Sequence, residues 1–209
     1  AAGEQVLKEG IPTQTFTAKV RPGDIKYVDL DQNGVIDTYD QMAIGGTENP
    51  EIVYGFGVNL RWKDLDFGAM FQGIGRTWRI LSSNIMPASN KGSMYNIFDN
   101  YQDRWTVDNQ SQDVFYPRAD YGPNANNSQK STWWLRNMSF LRLKNVELGY
   151  SCPKKWLQGF VISNARVFVR GTNLLTFSKF DLWDPELATG DGAKYPAMKS
   201  VSVGFDITF

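Results

Sequence analysis

The final eleven residues, Lys199-Ser-Val-Ser-Val-Gly-Phe-Asp-Ile-Thr-Phe209, alternate apolar and polar side chains and end on an aromatic residue. Successive side chains of a strand point to opposite faces, so Val201, Val203, Phe205, Ile207 and Phe209 share one face, and Ser200, Ser202, Gly204, Asp206 and Thr208 share the other. Such a strand needs two environments. A soluble β-sandwich provides them by laying a second sheet on the apolar face, and an outer-membrane barrel provides them with lipid outside and a polar interior, over about ten residues per strand.

Composition narrows the choice. The 209 residues carry 22 basic and 22 acidic side chains, so no net charge draws the chain to nucleic acid. Histidine is absent and Cys152 is the single cysteine, which excludes a disulfide framework, a His/Cys zinc site and most histidine-dependent catalysis. No apolar run reaches the 18 or so residues of a transmembrane helix, while 13 Phe, 9 Tyr and 7 Trp are many for a soluble domain. The first ten residues have neither the basic nor the apolar region of a secretory signal, so an exported protein is expected to be processed or longer than this chain.

Period-two patterning predicts four more strands. From Glu51 to Trp62, Ile52, Tyr54, Phe56, Val58, Leu60 and Trp62 share one face. Lys63-Asp64 makes a tight turn into a partner strand, Leu65 to Ile74, in which Leu65, Phe67, Ala69 and Phe71 align. A third strand, Ser139 to Ser151, changes phase and predicts a bulge near Lys144 and Asn145. The fourth runs from Ala165 through Leu175. Between the second and third lies a polar stretch, about 75–137, with a short helix expected at Asn96–Trp105; a second loop spans Thr176 to Ala197. Short and long connections therefore alternate, as they do in barrels with short periplasmic turns and long outer loops. The expected fold class is all-β, with about five up-and-down antiparallel strands forming the C-terminal segment of a transmembrane barrel, 51–209, preceded by an extracellular loop region, 1–50.

That first region holds a metal-ligand spacing. In Asp29-Leu-Asp-Gln-Asn-Gly-Val-Ile-Asp-Thr-Tyr-Asp40, oxygen ligands from Asp29, Asp31, Asn33, the Val35 carbonyl, Asp37 and Asp40, with Gly34 for the turn, suit a calcium ion. Asp40 replaces the longer Glu of an EF-hand and no long helices flank the loop, so the motif predicts a calcium loop outside that fold. An Asp/Asn-rich turn whose side chains bond their own backbone is the competing reading.

The stretch Pro22-Gly-Asp-Ile-Lys-Tyr-Val-Asp-Leu-Asp-Gln-Asn-Gly-Val-Ile-Asp-Thr-Tyr-Asp40, followed by Ile44-Gly45 and Tyr54-Gly-Phe56, resembles the late region of SusC/RagA-type TonB-dependent transporters of Bacteroidota. So do Phe140-Leu-Arg-Leu-Lys-Asn-Val-Glu-Leu-Gly-Tyr150 with Pro153, Arg166-Val-Phe-Val-Arg-Gly-Thr-Asn-Leu-Leu-Thr176, Asp184-Pro-Glu186 and the terminal strand. The resemblance implies an outer-membrane barrel of 22 strands that imports glycans or peptides. It implies a SusD-like surface lipoprotein as cap, and TonB acting through an N-terminal part that this chain lacks. It makes Val203, Phe205, Ile207 and Phe209 the signal for barrel assembly; the residues themselves place no catalytic site, and calcium is the one cofactor their spacing suggests.

Tyr54, Phe56, Trp62, Phe67 and Phe71 are expected to face lipid. Trp78, Tyr95, Trp105, Tyr116, Tyr121, Trp133 and Trp134, in the loops, are the candidates for contact with substrate or partner. Arg142, Lys144, Arg166 and Arg170 are candidates for the lumen, and Asp184 with Glu186 reads as a structural turn rather than an acid–base pair. A soluble carbohydrate-binding sandwich clipped by calcium is the alternative. It predicts an apolar strand face buried under a second sheet, whereas a barrel leaves that face bare.

Overall fold

Each predicted alternation becomes a strand of one antiparallel sheet. The computed structural model describes residues 7–17, 20–82, 98–120, 124–159 and 161–209. Its strands are β1 (Thr13–Gln14), β2 (Val35–Ile36), β3 (Ile52–Trp62), β4 (Leu65–Gly75), β5 (Trp78–Ile80), β6 (Leu135–Asn137), β7 (Phe140–Ser151), β8 (Asn164–Ser178) and β9 (Ser200–Thr208). The large sheet has the order β3-β4-β7-β8-β9, so its strands lie side by side in chain order and every pair is antiparallel. Strand β8 runs three residues beyond the end read from periodicity. The helix expected at Asn96–Trp105 is only a 3₁₀ turn, Asp99–Gln102, whose N-cap Phe98 supplies no side-chain hydrogen bond; Asn96 and Ile97 lie outside the described residues.

The chain divides into two units, Ala1–Gly45 with Ile80–Leu135, and Gly46–Arg79 with Arg136–Phe209. In the first, β1 and β2 form a short parallel ladder. Ile25, Ile36, Leu81, Tyr116 and Trp134 are its buried apolar residues. The second contains the five-stranded sheet.

Register in the sheet keeps each apolar set on one face. Phe56 pairs with Phe71, Leu60 with Phe67, Leu148 with Val169 and Val169 with Val203. The Phe56 and Phe71 rings stack at 5.1 Å. At the foreseen bulge, β7 passes from Asn145 to Leu143 while β4 passes from Met70 to Phe71, so Lys144 is the extra residue. On the far side, β8 advances from Thr172 to Leu175 with Asn173 in the left-handed conformation, φ 54°.

The apolar face is bare. Val58, Leu60, Trp62, Val203 and Phe205 are between 42% and 74% exposed, which is incompatible with the buried face of a sandwich. Strands β3 and β9 end the sheet order, so each has one edge without a strand partner in the sheet. Among the described residues no helix is long and apolar enough to cross a membrane, which leaves spanning by strands open.

The opposite face is held by charge. The Arg166 guanidinium donates to Asp66 on β4 at 2.5 and 3.0 Å, to Glu147 on β7 at 2.6 Å and to Asp206 on β9 at 3.3 Å. Arg170 joins Glu147 at 2.6 Å. The Phe168 ring lies between the two arginines, with guanidinium carbons 5.0 and 5.3 Å from its centre. Gly149 makes the crossing possible: a Cβ there would stand 2.3 Å from Arg166 Nη2 and 2.6 Å from Asp66 Oδ2.

Gly149→Ala therefore forces the Arg166 and Asp66 tips aside, and their charged hydrogen bonds are lost at about 1–3 kcal/mol. At Gly55 an added Cβ meets only Phe71 O, at 3.4 Å, and Gly55→Ala is expected to cost less than about 1 kcal/mol. Urea unfolding of the two variants in lipid vesicles checks the contrast, and equal losses would deny the Arg166 bridge its role.

Candidate functional site

The Pro22–Ile25 turn is the anchor of the first unit. Gly23 adopts φ 87° and lies directly under the Trp105 ring, where a Cβ would approach Cε3 to 2.2 Å. The Asp24 side chain is fully buried, and its Oδ1 accepts from Asn127 Nδ2 at 2.9 Å, Asn124 Nδ2 at 3.1 Å and Arg118 Nη2 at 3.2 Å. One carboxylate in an interior is tolerable only with such partners. The main chain of Ile25 is gripped as well: its N–H donates to Asn127 Oδ1 at 2.9 Å, and its carbonyl accepts from Asn126 Nδ2 at 2.9 Å. Around this hub Arg21 pairs with Asp120, which also takes Arg118 at 3.1 Å and Asn124 at 2.9 Å. Burial pushes the Asp120 carboxyl up, but the bonds from Arg21, Arg118 and Asn124 outweigh it and hold the group below the usual carboxylate range. Burial raises the Tyr27 phenol well above its ordinary value, so it stays a neutral donor to Asn126 O at 2.6 Å.

The acidic loop folds tightly on itself. Asp29 accepts from the N–H groups of Asn33 and Gly34 at 3.2 and 2.8 Å, and Asn33 Oδ1 accepts from Val35 N–H at 2.7 Å. Gln32 and Gly34 take positive φ, 60° and 82°. Asp37 caps the 3₁₀ turn Thr38–Asp40 by accepting from Tyr39 N–H at 2.7 Å, and Asp40 returns the bond from Asp37 N–H at 2.8 Å. Those main-chain donors, Asp37 first and Leu30 next, keep the Asp40 carboxyl below the usual range. Of the six expected ligands, Asp29, Asp31 and Asp40 converge, with one oxygen of each within 4.8 Å of the others. Oxygens bound at about 2.4 Å to one ion stand at most about 4.8 Å apart, so this trio fits a calcium ion. All three carboxylates also accept N–H groups of the loop itself, as do the side chains of Asn33 and Asp37, so the turn is closed by its own hydrogen bonds as the competing reading expects.

The loop aromatics divide. Tyr116 and Trp134 are 2% and 1% exposed, and they pack with each other and with Phe115. Trp134 Nε1 donates to Asn127 O at 2.8 Å, so it braces the Asp24 hub. Trp105 and Trp133 are half-buried and line a groove of about 820 Å³. Trp78 lies against Gly46 in the second unit. Tyr95 and Tyr121 fall outside the described residues. Val203, Phe205 and Ile207 occupy the bare apolar face of β9, with Phe209 one residue beyond it.

On the sheet, Arg142 is 1% exposed and bonds Asp184 and Glu186, the latter at 3.0 Å. Lys144 reaches the same Glu186 at 2.7 Å. Asp184 and Glu186 are thus occupied in pinning the Pro185–Leu187 turn to β7, as a structural turn requires. Periodicity missed the Asp24 hub entirely. The signal available was Asn124-Ala-Asn-Asn127, a cluster of amides that suits a buried carboxylate better than solvent.

No family model matches the chain. It is 32% identical to "TonB-dependent receptor P26" of Formosa agariphila over 90% of its own length and 20% of that protein. It is 24% identical to "TonB-dependent receptor SusC" of Bacteroides thetaiotaomicron over 94% of its length and 19% of that protein. Among solved structures, the RagAB peptide transporter matches with 32% identity and a TM-score of 0.66, over 83% of this chain and 19% of that one. The chain therefore spans about one fifth of the length of these relatives. The likeness in fold makes the five-stranded sheet a segment of a β-barrel wall. In sequence and in fold alike, the chain is similar to a fragment of the SusC/RagA-type TonB-dependent receptors.

Proposed function

We propose that this chain forms the C-terminal strands of a TonB-dependent outer-membrane transporter that imports oligomeric nutrients, glycans or peptides, beneath a SusD-like lipoprotein. The bare apolar face of the up-and-down sheet carries the reading, because lipid is the environment in which such a face is stable. Relatives named as receptors and importers, rather than enzymes, support it, as does the capture of Asp184 and Glu186 by Arg142 and Lys144. The loops of the first unit would belong to the outer side, and TonB would act through parts of the protein beyond this chain.

Two outcomes test the membrane assignment. Without neighbours for β3 and β9 the chain is expected to be insoluble in buffer and to show β structure by far-UV circular dichroism only in detergent micelles; a monodisperse, cooperatively folding protein in buffer would sink the assignment. In the complete barrel, Val203→Lys should destabilise insertion by about 2–4 kcal/mol if the residue sits near the bilayer midplane, while Ser202→Lys, on the polar face, should be tolerated. Urea titrations of vesicle-inserted protein compare them.

The same reading takes the Asp29–Asp40 loop as a calcium site held by Asp29, Asp31 and Asp40, where the ion would offset three converging negative charges. Since the Asp40 carboxyl titrates below its ordinary range, its charged form persists above that range and is lost only as pH falls through the depressed value. Calcium titration calorimetry in detergent at neutral pH should give one site, weakened about tenfold or more by Asp31→Asn or Asp40→Asn, and fading in strong acid. Isotherms unchanged by both substitutions would remove the calcium reading.

A further inference from the structure

We propose that the connection between β8 and β9, residues 179–199, is a strap folded into the mouth of the barrel, where it limits the bulk of what can be imported. Register decides the face on which it lies. Arg142 pairs with Gln72 on β4 and Thr176 on β8, whereas its neighbour Leu143 pairs with Phe71 and Leu175. Phe71 stacks on Phe56 on the bare apolar face, so Arg142 points to the opposite side. Gln72 and Asp66 lie an even number of residues apart on β4, which makes that side the one where Asp66 meets Arg166. In a barrel wall the polar face is the inner one.

A connection between neighbouring strands has no need to touch a third. This one crosses β8 to reach β7, where Arg142 bonds Asp184 and Glu186 and Lys144 bonds Glu186. Arg142 stands two residues in from the Phe140–Ser178 pair that begins the β7–β8 ladder, so the anchor lies about 7 Å below the rim.

The strap is a built structure. An arginine on the watery side of a barrel wall is ordinarily wet, yet Arg142 is 1% exposed, and Phe140 on the same face is 4% exposed. Within the strap Phe180 is buried edge-on to Trp183 at 4.8 Å, and Trp183 lies so close to Gly192 that a Cβ there would come within 3.0 Å of the ring. Asn173 Nδ2 on β8 donates to Met198 O at 3.1 Å and ties down the returning limb. The buried guanidinium has two carboxylates as partners, as a cation out of water requires. Glu186 and Lys144, with side chains 35% and 21% exposed, form the wetter half of the clasp. A segment held on the inner face takes space from the path, whereas a loop standing clear of the rim would not.

This inference rests on the import reading, and two measurements on the complete transporter separate them. The first places Ala193→Cys, at an exposed strap position, in a Cys152→Ser background and compares a small maleimide with a polyethylene glycol maleimide on vesicle-inserted protein. With the strap seated, the polymer reagent should react at least tenfold more slowly than the small one, and Asp184→Asn with Glu186→Gln should abolish the difference. Equal rates in the parent overturn the inward fold. The second follows cellular uptake of radiolabelled maltooligosaccharides and oligopeptides, long against short. Releasing the strap should raise kcat/KM for long over short substrates roughly tenfold. Lys144→Gln, which removes only the wetter contact, should act in the same direction to a smaller extent, and it carries the test if the double variant fails to insert. An unchanged ratio in variants that insert and import overturns the strap's role alone. A parent that shows the labelling contrast yet imports neither set condemns the import reading, and the size limit with it.

Discussion

The guanidinium of Arg166 reaches three other strands, and the regularity of the sheet depends on that reach. A slip of one residue in any strand would turn its whole apolar set from one face to the other. Side-chain alternation disfavours such slips, but it acts weakly where neighbouring positions are glycine. A cation on β8 bound to carboxylates on β4, β7 and β9 specifies the register of all four at once. It does so on the face where charge belongs, so the apolar face can remain continuous. Gly149 and Gly204 are the complement of this arrangement: one leaves room for the guanidinium to cross β7, and the other leaves room for the Phe168 ring over β9.

The first unit solves a different problem. It has little regular structure, and its main-chain polar groups cannot all be satisfied in a ladder. Amide side chains take over that task. Asn124, Asn126 and Asn127 together serve Asp24 and both main-chain groups of Ile25, and Trp134 ties the same segment back to the core through Asn127 O. Two stretches about one hundred residues apart are thereby joined through a single buried carboxylate. The Pro-Gly-Asp-Ile motif, which marks the resemblance to the receptors, has a physical role here: a tight turn under an indole, an anchored charge and an apolar plug in four consecutive residues.

Loop aromatics show where reading from sequence runs short. Tyr116, Trp133 and Trp134 look alike in a polar stretch, yet two are core residues and one lines a groove. The difference comes from partners such as Phe115 and Asn127, whose proximity follows from the path of the loop and not from any spacing. The acidic loop makes a similar point, since Asp37 and Asp40 share the capping of the 3₁₀ turn Thr38–Asp40, yet of the two it is Asp40 whose carboxylate comes within 4.8 Å of those of Asp29 and Asp31.

Sequence by itself determined the five strands, their two faces, the tight turn at Lys63-Asp64, the bulge at Lys144 and the alternation of short and long connections. These features have a period of two and span a few residues, so each is written in a local window and survives whatever the rest of the chain does. Tertiary contacts settled which aromatics are buried, which three carboxylates converge and that Asp24 is the hub of the first unit. Those outcomes depend on contacts such as Ile25 with Asn127, 102 residues apart, and on the competition of each polar atom for the partners that folding brings within reach.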